Sequence, residues 1–161
     1  MDTTAPTLTL SANLTVDATS ASGAVVSFTV TATDLVDGPT GVTCTPASGA
    51  TFPIGTSTVY CSTTDAHGNT AAGAFAIRVR SASEQLQALH VVVVGLPPGT
   101  SLSAKVNAAI QSLQSGNTAS TCSSLNALIH EAQAPAGKEL TVAQANQLVA
   151  DATRIRAVLA C

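Results

Sequence analysis

The spacing of apolar residues changes near residue 80, and this change divides the chain into two halves with different expected structures. Before it, apolar residues alternate with small or polar ones in short runs, as at Phe75, Ile77 and Val79. A period of two places one face of a β-strand inward. Beyond it, apolar residues recur every three to four positions, as on amphipathic helices. The sequence therefore predicts a β module over residues 1–80 and a helical module over residues 81–161.

The first half contains several short candidate strands separated by turn signals rich in Gly, Pro, Asn and Asp. Strands at this spacing are typical of an antiparallel sandwich. The candidate strands are Thr7–Leu10, Leu14–Val16, Val26–Ala32, Gly41–Thr45, Ser57–Thr63 and Ala74–Val79. The turn signals between them are Asp37–Pro39, Pro46–Gly49 and His67–Asn69.

The second half predicts a small bundle of about four helices. Ser81 with Glu84, and Thr141 with Gln144, have the spacing of capping boxes at helix starts. The stretch Glu84–Leu96 is ambiguous because four consecutive valines favour a strand, but its helical face and the preceding cap favour the helix that we predict. The remaining apolar stripes are Leu102, Val106, Ala109, Ile110 and Leu113; Leu125, Leu128, Ile129 and Ala132; and Val142, Ala145, Leu148, Val149, Ala152, Ile155 and Leu159. The breaks are Pro97–Gly99, Gly116–Asn117 and Pro135–Gly137.

The four cysteines divide evenly between the halves, and they allow three patterns of disulfide pairing. One disulfide in each half is the simplest pattern, joining Cys44 to Cys61 and Cys122 to Cys161. Cys122 lies near the start of the third predicted helix and Cys161 ends the fourth, so antiparallel neighbours would bring the two together. No spacing matches a zinc site. Disulfides imply an oxidising compartment, so we expect a secreted or cell-surface protein.

The charge distribution argues against several classes of function. Only 9% of the residues are charged, against roughly 25% in ordinary globular chains. Residues 1–77 contain no Lys or Arg and five Asp, and the rest contains six basic and four acidic residues. Neither half has the basic stripe that binding to nucleic acid requires. No apolar run approaches the ~20 residues of a membrane span, and Met1 leads into Asp-Thr-Thr without an export signal, so we expect a piece of a longer protein.

The first half contains a set of motifs that are specific in combination. They are Asp2–Pro6, Thr31–Asp34, Val42–Pro46, Phe52–Thr56 and Cys61–Asn69. Together they resemble the motifs of the hyalin repeat (HYR) module, an immunoglobulin-like sandwich of extracellular proteins. The resemblance covers residues 2–80. It implies an all-β immunoglobulin-like fold, a disulfide between Cys44 and Cys61, and a preceding module of the same protein.

The second half contains a further set of motifs, Gly95–Gly99, Gly116–Thr118, Leu125–Ile129 and Gly137–Ala145. With these motifs it is similar to FIMAH, a small C-terminal helical module of bacterial secreted hydrolases and other cell-surface proteins. This resemblance covers roughly residues 82–161, and Leu128 replaces the usual aromatic residue of the third helix. Both resemblances imply accessory modules, and neither transfers a catalytic residue to this chain.

The candidate catalytic residues do not have the spacing that catalytic motifs require. His130-Glu131 would need a second His at position 134 to form a zinc-protease helix, and that residue is Ala134. A Ser-x-x-Lys nucleophile ending at Lys105 would need Ser at position 102, which is Leu102. We interpret His67 and His90 as structural or partly exposed, and Arg154 and Arg156 as a solvated face near a helix end. We therefore predict no enzyme, no catalytic residue and no cofactor site.

One group of aspartates raises the alternative of a calcium-dependent module. Asp34 and Asp37 lie in one predicted loop, Asp65 and Asn69 in another, and Asp2 at the module junction. If these loops share one end of the sandwich, the oxygen ligands that calcium prefers would converge there. The alternative is that Asp and Asn simply form turns, and on balance the sequence predicts no metal ligand.

The predicted function is a non-catalytic accessory region of a bacterial secreted or cell-surface protein, acting as a spacer, adhesion and protein-interaction region. Its partners would be other domains of the same protein, an extracellular protein, a glycan, or a second copy of the chain in a self-assembling subunit. Glycan platforms usually need several exposed rings. The phenylalanines read inward here, so only Tyr60 is expected to face outward.

Overall fold

The structure is a computed structural model that describes residues 2–96, 100–134 and 140–161. The predicted breaks Pro97–Gly99 and Pro135–Gly137 lie outside these residues. The described chain begins with nine strands and continues with four helices, which confirms the β-then-α fold class. The strands are β1 (Thr7–Thr9), β2 (Leu14–Asp17), β3 (Ala24–Val25), β4 (Thr31–Asp34), β5 (Gly38–Thr40), β6 (Val42–Thr45), β7 (Thr51–Phe52), β8 (Gly55–Thr64) and β9 (Thr70–Arg80).

The strands form two larger sheets and one short pair. One sheet has the order β1-β4-β5, the second has the order β2-β9-β8-β6, and β3 pairs with β7. The longest element is the β8–β9 hairpin, whose antiparallel register runs from Gly55 opposite Val79 to Thr64 opposite Thr70. Its turn closes through Gly68, whose φ of 89° is one that other residues rarely adopt.

Much of the apolar core of the β unit comes from the alternating residues of β8 and β9. Val59 and Ile77 have no exposed surface, and Val79 is 1% exposed. The ring of Phe28 lies edge-to-face against Phe75, with centroids 5.0 Å apart. The buried residues agree with the predicted period of two, and the ring contact agrees with the prediction that the phenylalanines face inward.

The candidate strand Val26–Ala32 is wrong as a single strand. The structure has β3 before it and β4 at its end, with no ladder over residues 26–30. The backbone of Phe28 bonds instead to the Ser48 hydroxyl, which accepts from its N–H and donates to its C=O, both at 2.8 Å. Burial still alternates through the segment. The apolar pattern therefore predicts which side chains face inward. It does not predict where the backbone finds a neighbouring strand to pair with.

The helical unit contains α1 (Ala82–Val94), α2 (Thr100–Gln114), α3 (Thr118–Gln133) and α4 (Val142–Val158). Neighbouring helices pack in a ring, with α1 against α2 and α4, and α3 against α2 and α4. The ambiguous stretch Glu84–Leu96 is helical as predicted as far as Val94, and Gly95 caps the helix. Its four valines continue the helix because Leu86, Leu89 and Val93 are buried along one side of it.

Both predicted capping boxes are present. The Ser81 hydroxyl accepts from the N–H of Glu84, and the Glu84 carboxylate accepts from the N–H of Ser81. Thr141 and Gln144 make the same reciprocal pair. Val142 was wrongly assigned to the buried stripe of α4, since it is 78% exposed. It is the first helical residue after the cap, and the fully buried stripe begins only at Leu148.

The chain divides into two compact units. One comprises the residues up to Val16 together with Ala24–Val79, and the other comprises Asp17–Gly23 together with Arg80–Cys161. Among the described residues, no helix has both the length and the apolar character needed to cross a membrane.

Candidate functional site

The turn between β4 and β5 holds two carboxylates in a fixed geometry. Asp34 ends β4 and is 4% exposed. Its Oδ1 accepts hydrogen bonds from the N–H groups of Val36 at 2.8 Å and Asp37 at 3.0 Å. An aspartate that accepts from residues just downstream folds the chain back on itself. The turn thereby brings the side chain of Asp37 next to that of Asp34.

The turn between β8 and β9 supplies a third carboxylate by similar local chemistry. Asp65 is 7% exposed, and its Oδ1 accepts from the N–H groups of His67 at 2.9 Å and Asn69 at 2.8 Å. Its Oδ2 accepts from the side-chain amide of Asn69 at 2.8 Å. Burial raises the pKa of Asp65, but these hydrogen bonds outweigh it, so the pKa lies below its ordinary value.

The two turns contact each other through Asp37. Its Oδ2 accepts from the N–H of Ala66 at 3.2 Å and lies 3.0 Å from His67 Nδ1. The hydrogen bond to Asp37 raises the pKa of His67 above its ordinary value, and the charges of Asp37, Asp2 and Asp65 raise it further against the opposing effect of burial. The neighbouring carboxylates thus stabilise the protonated ring relative to the neutral one.

Asp2 brings the N-terminal segment to the same place. Its Oδ1 accepts from the N–H of Thr4 at 3.1 Å, and its main-chain oxygen lies 3.4 Å from the amide nitrogen of Asn69. One carboxylate oxygen from each of four aspartates lies within 4.8 Å of the others. We call this set, which consists of Asp2, Asp34, Asp37 and Asp65, the aspartate cluster.

The structure therefore brings together the aspartates that the sequence placed in separate loops. Two oxygens of the cluster, Asp34 Oδ2 and Asp2 Oδ2, are buried and accept no hydrogen bond. The sequence interpretation missed His67, which also forms a potential ligand trio with Asp2 and Asp37. Its position inside the Asp65–Asn69 turn was the available signal. Chemically, the cluster can bind a cation through oxygen ligands.

A second polar group lies in the helical unit and includes Lys105, which the sequence does not place in a Ser-x-x-Lys motif. The Ser101 hydroxyl accepts from Lys105 Nζ at 3.0 Å and donates to Glu131 Oε2 at 2.9 Å. Glu131 also forms an ion pair with Lys105. Burial raises the pKa of Glu131, but bonds from Lys105 and Ser101 lower it below its ordinary value. These contacts join α2 to α3.

The remaining candidate residues take separate places. His130 is exposed and His90 is half-buried on its helix. Arg154 is not simply solvated as predicted, because it pairs with Asp151 at 2.9 Å and with Asp17 at 3.1 Å. A sequence pattern within one helix could not reveal the distant partner.

The outer face of β8 carries the single tyrosine. Tyr60 is 67% exposed, as expected from its position between the buried Val59 and Cys61. Residues of β6, β8 and β9 line a shallow groove beside it. The residues that line this groove include Thr43, Thr45, Ser62, Ala72 and Ala74. A single ring among hydroxyl and methyl groups gives little of the stacking surface on which a sugar platform depends.

Both predicted disulfides are present. Cys44 of β6 bonds to Cys61 directly opposite on β8. Cys122 of α3 bonds to Cys161, which lies just beyond α4, with a Cα–Cα distance of 6.2 Å. Each bond therefore lies within one of the two compact units.

Comparison with known families gives a match to the first half of the chain. The model of the HYR domain family matches residues 1–79, just under half of the chain. HYR domains are extracellular modules of the repeat type without a catalytic role. No curated protein matches the chain. The resemblance of residues 82–161 to FIMAH remains a prediction.

Proposed function

We propose that this chain is a non-catalytic accessory region of a bacterial secreted or cell-surface protein. The observation that carries the proposal is the HYR match over residues 1–79 on a β unit closed by the Cys44–Cys61 bond. The sheet unit serves as a spacer and adhesion module, and the helical unit serves as a docking element for another protein. Bacterial origin and the docking role rest on the FIMAH resemblance alone.

The composition of the β unit supports a role outside the cell. Its exposed strand positions are mainly Thr and Ser, and residues 1–77 contain no Lys or Arg. The two disulfides persist in an oxidising environment and would be lost in the cytosol. A hydroxyl-rich surface with few charged side chains stays hydrated, which suits a spacer between other domains.

Export of the chain and a measurement of adhesion test this proposal. The chain is directed to the bacterial periplasm with a heterologous signal peptide, coupled to beads, and allowed to bind purified extracellular matrix proteins and bacterial surfaces. The matched control is the same chain with its disulfides reduced and alkylated. We expect native beads to be retained and control beads to be released. Equal retention of both would contradict an adhesive role for the folded module.

A second measurement addresses catalysis. The exported chain is incubated with chromogenic ester, glycoside, phosphate and peptide substrates, with the Ser101→Ala variant in parallel. We expect no turnover by either protein. Turnover that is lost in the variant would overturn the assignment as an accessory region.

A further inference from the structure

We propose that the aspartate cluster binds one calcium ion. The cluster consists of Asp2, Asp34, Asp37 and Asp65, whose oxygens lie within 4.8 Å of one another. This site goes beyond the accessory function proposed above and does not depend on it, because a spacer or adhesion module needs no metal. Three further observations support an ion at this position.

The first observation is an unsatisfied buried carboxylate. Asp34 is 4% exposed, and although its Oδ1 accepts two backbone hydrogen bonds, its Oδ2 accepts none. Asp2 Oδ2 is likewise buried without a partner. Buried polar atoms are nearly always paired, and a charged oxygen without a partner is among the most unfavourable groups to bury. Both atoms belong to carboxylates of the cluster, so one bound cation would satisfy both.

The second observation is the imbalance of charge. Residues 1–77 contain no Lys or Arg, and His67 is their only His. Even the protonated ring, 3.0 Å from Asp37, supplies one positive charge against four carboxylates. Negatively charged carboxylates held this close repel one another. A divalent cation removes most of this repulsion, which a solvent-exposed imidazolium cannot do.

The third observation concerns the kind of ligand and favours calcium over other metals. Calcium takes six to eight oxygens at about 2.3–2.6 Å, so oxygens bound to one ion lie no more than about 5 Å apart. The spacing within the cluster fits that limit. Magnesium demands a smaller octahedron and gives up water reluctantly. Zinc prefers nitrogen and sulfur ligands, and only His67 could supply one here.

The position of the cluster indicates what the ion would do. Asp34 and Asp37 belong to the β4–β5 turn of one sheet, and Asp65 belongs to the β8–β9 turn of the other. Asp2 belongs to the N-terminal segment before β1. An ion bound by all four would join both sheets and the N-terminal segment at one end of the β unit. Calcium would therefore order the residues that precede the first strand.

Calorimetric titration of the full chain with calcium chloride, after removal of metals by a chelator, tests the site. We expect one saturable ion with a dissociation constant of about 10⁻⁴–10⁻³ M, the range of extracellular modules. The Asp34→Asn variant keeps an oxygen that can accept the turn hydrogen bonds and loses the charge. The Asp2→Asn variant changes only the N-terminal segment and tests the site without risk to the folded core. Each should weaken binding at least roughly tenfold.

The matched control is Asp151→Asn, which removes a carboxylate of the helical unit outside the cluster. Its calcium affinity should equal that of the unchanged chain. Absence of saturable binding up to about 10 mM calcium, well above the expected range, would overturn the proposal. So would binding of calcium by the Asp2→Asn and Asp34→Asn variants as tight as that of the unchanged chain. Zinc binding that exceeds calcium binding and disappears in His67→Gln would overturn the choice of calcium.

Discussion

Reduction of the two disulfides should destabilise the helical unit more than the β unit. The Cys122–Cys161 bond closes a sequence separation of 39 residues, and the Cys44–Cys61 bond closes one of 17. In the chain-entropy model a disulfide acts by restricting the unfolded chain, and its effect grows with the logarithm of this separation. The expected losses are about 4 kcal/mol for Cys122–Cys161 and about 3 kcal/mol for Cys44–Cys61.

The chain provides a separate probe for each unit. Tyr60 is its only tyrosine and there is no tryptophan, so fluorescence reports on the β unit next to Cys61. All four described helices lie in the other unit, so helical circular dichroism follows that unit. Urea titrations of the oxidised and reduced chain, observed with both signals, give the two losses in free energy of unfolding. Reduction keeps every side chain in place and so avoids the cavities that Cys→Ala changes would leave.

Two results are expected if the bonds act by restricting the unfolded chain. The loss in the helical unit must exceed that in the β unit, and each must exceed about 1 kcal/mol. The double variants Cys44→Ala/Cys61→Ala and Cys122→Ala/Cys161→Ala serve as controls, since each should alter mainly the signal of its own unit. A larger loss in the β unit would refute the entropic account of these bonds.

Three further outcomes are expected. The pKa of Glu131 is lowered in the folded chain. The stabilisation that its carboxylate provides is therefore present above the unfolded pKa of about 4.5 and is lost as the pH falls through the folded value. Urea titrations from pH 7 to pH 3 should show this loss of stability, and the loss should be smaller in Lys105→Met. Ser81→Ala removes the hydroxyl of a capping box and should lower the free energy of unfolding by about 1 kcal/mol. Ser123→Ala, on the exposed face of α3, should leave the stability unchanged or raise it slightly. Equal losses in the two variants would contradict a capping role for Ser81. Leu125→Ala leaves a cavity at a fully buried position and should lower the free energy of unfolding by about 2–5 kcal/mol. Val142→Ala, at a position that is 78% exposed, should change it by no more than about 0.5 kcal/mol. A comparable loss in both variants would show that burial is not the cause.

The helical half could be predicted in detail because its signals are local. A capping box needs only residues three apart, as at Ser81 and Glu84, and an apolar stripe needs only one helix. The error at Val142 arose where a stripe extends beyond the part of the helix that is covered by its neighbours. Periodicity gives the direction of a side chain and gives no information about whether another element lies opposite it.

The β half was predicted less well because strands depend on distant partners. The alternation over Val26–Ala32 correctly identified inward residues, yet the backbone of Phe28 bonds to Ser48, twenty residues away, in place of a neighbouring strand. Similarly, the Gly38–Pro39 part of a predicted turn forms β5, because Asp34 and Asp37 close the turn one step earlier. Hydrogen-bond partners of this kind are set by tertiary packing, which propensity does not contain.

The aspartate cluster shows both what local sequence signals predict and what depends on distant partners. Each turn explains its own aspartate, because Asp34 and Asp65 both accept backbone hydrogen bonds from residues just downstream. Turn formation, however, accounts for one oxygen of Asp34 and leaves the other buried without a partner. It also gives no reason for Asp2 to lie against both turns, since Asp2 belongs to neither. Local turn chemistry is therefore sufficient for each loop taken separately and insufficient for their convergence. That difference is the physical ground for expecting an ion there.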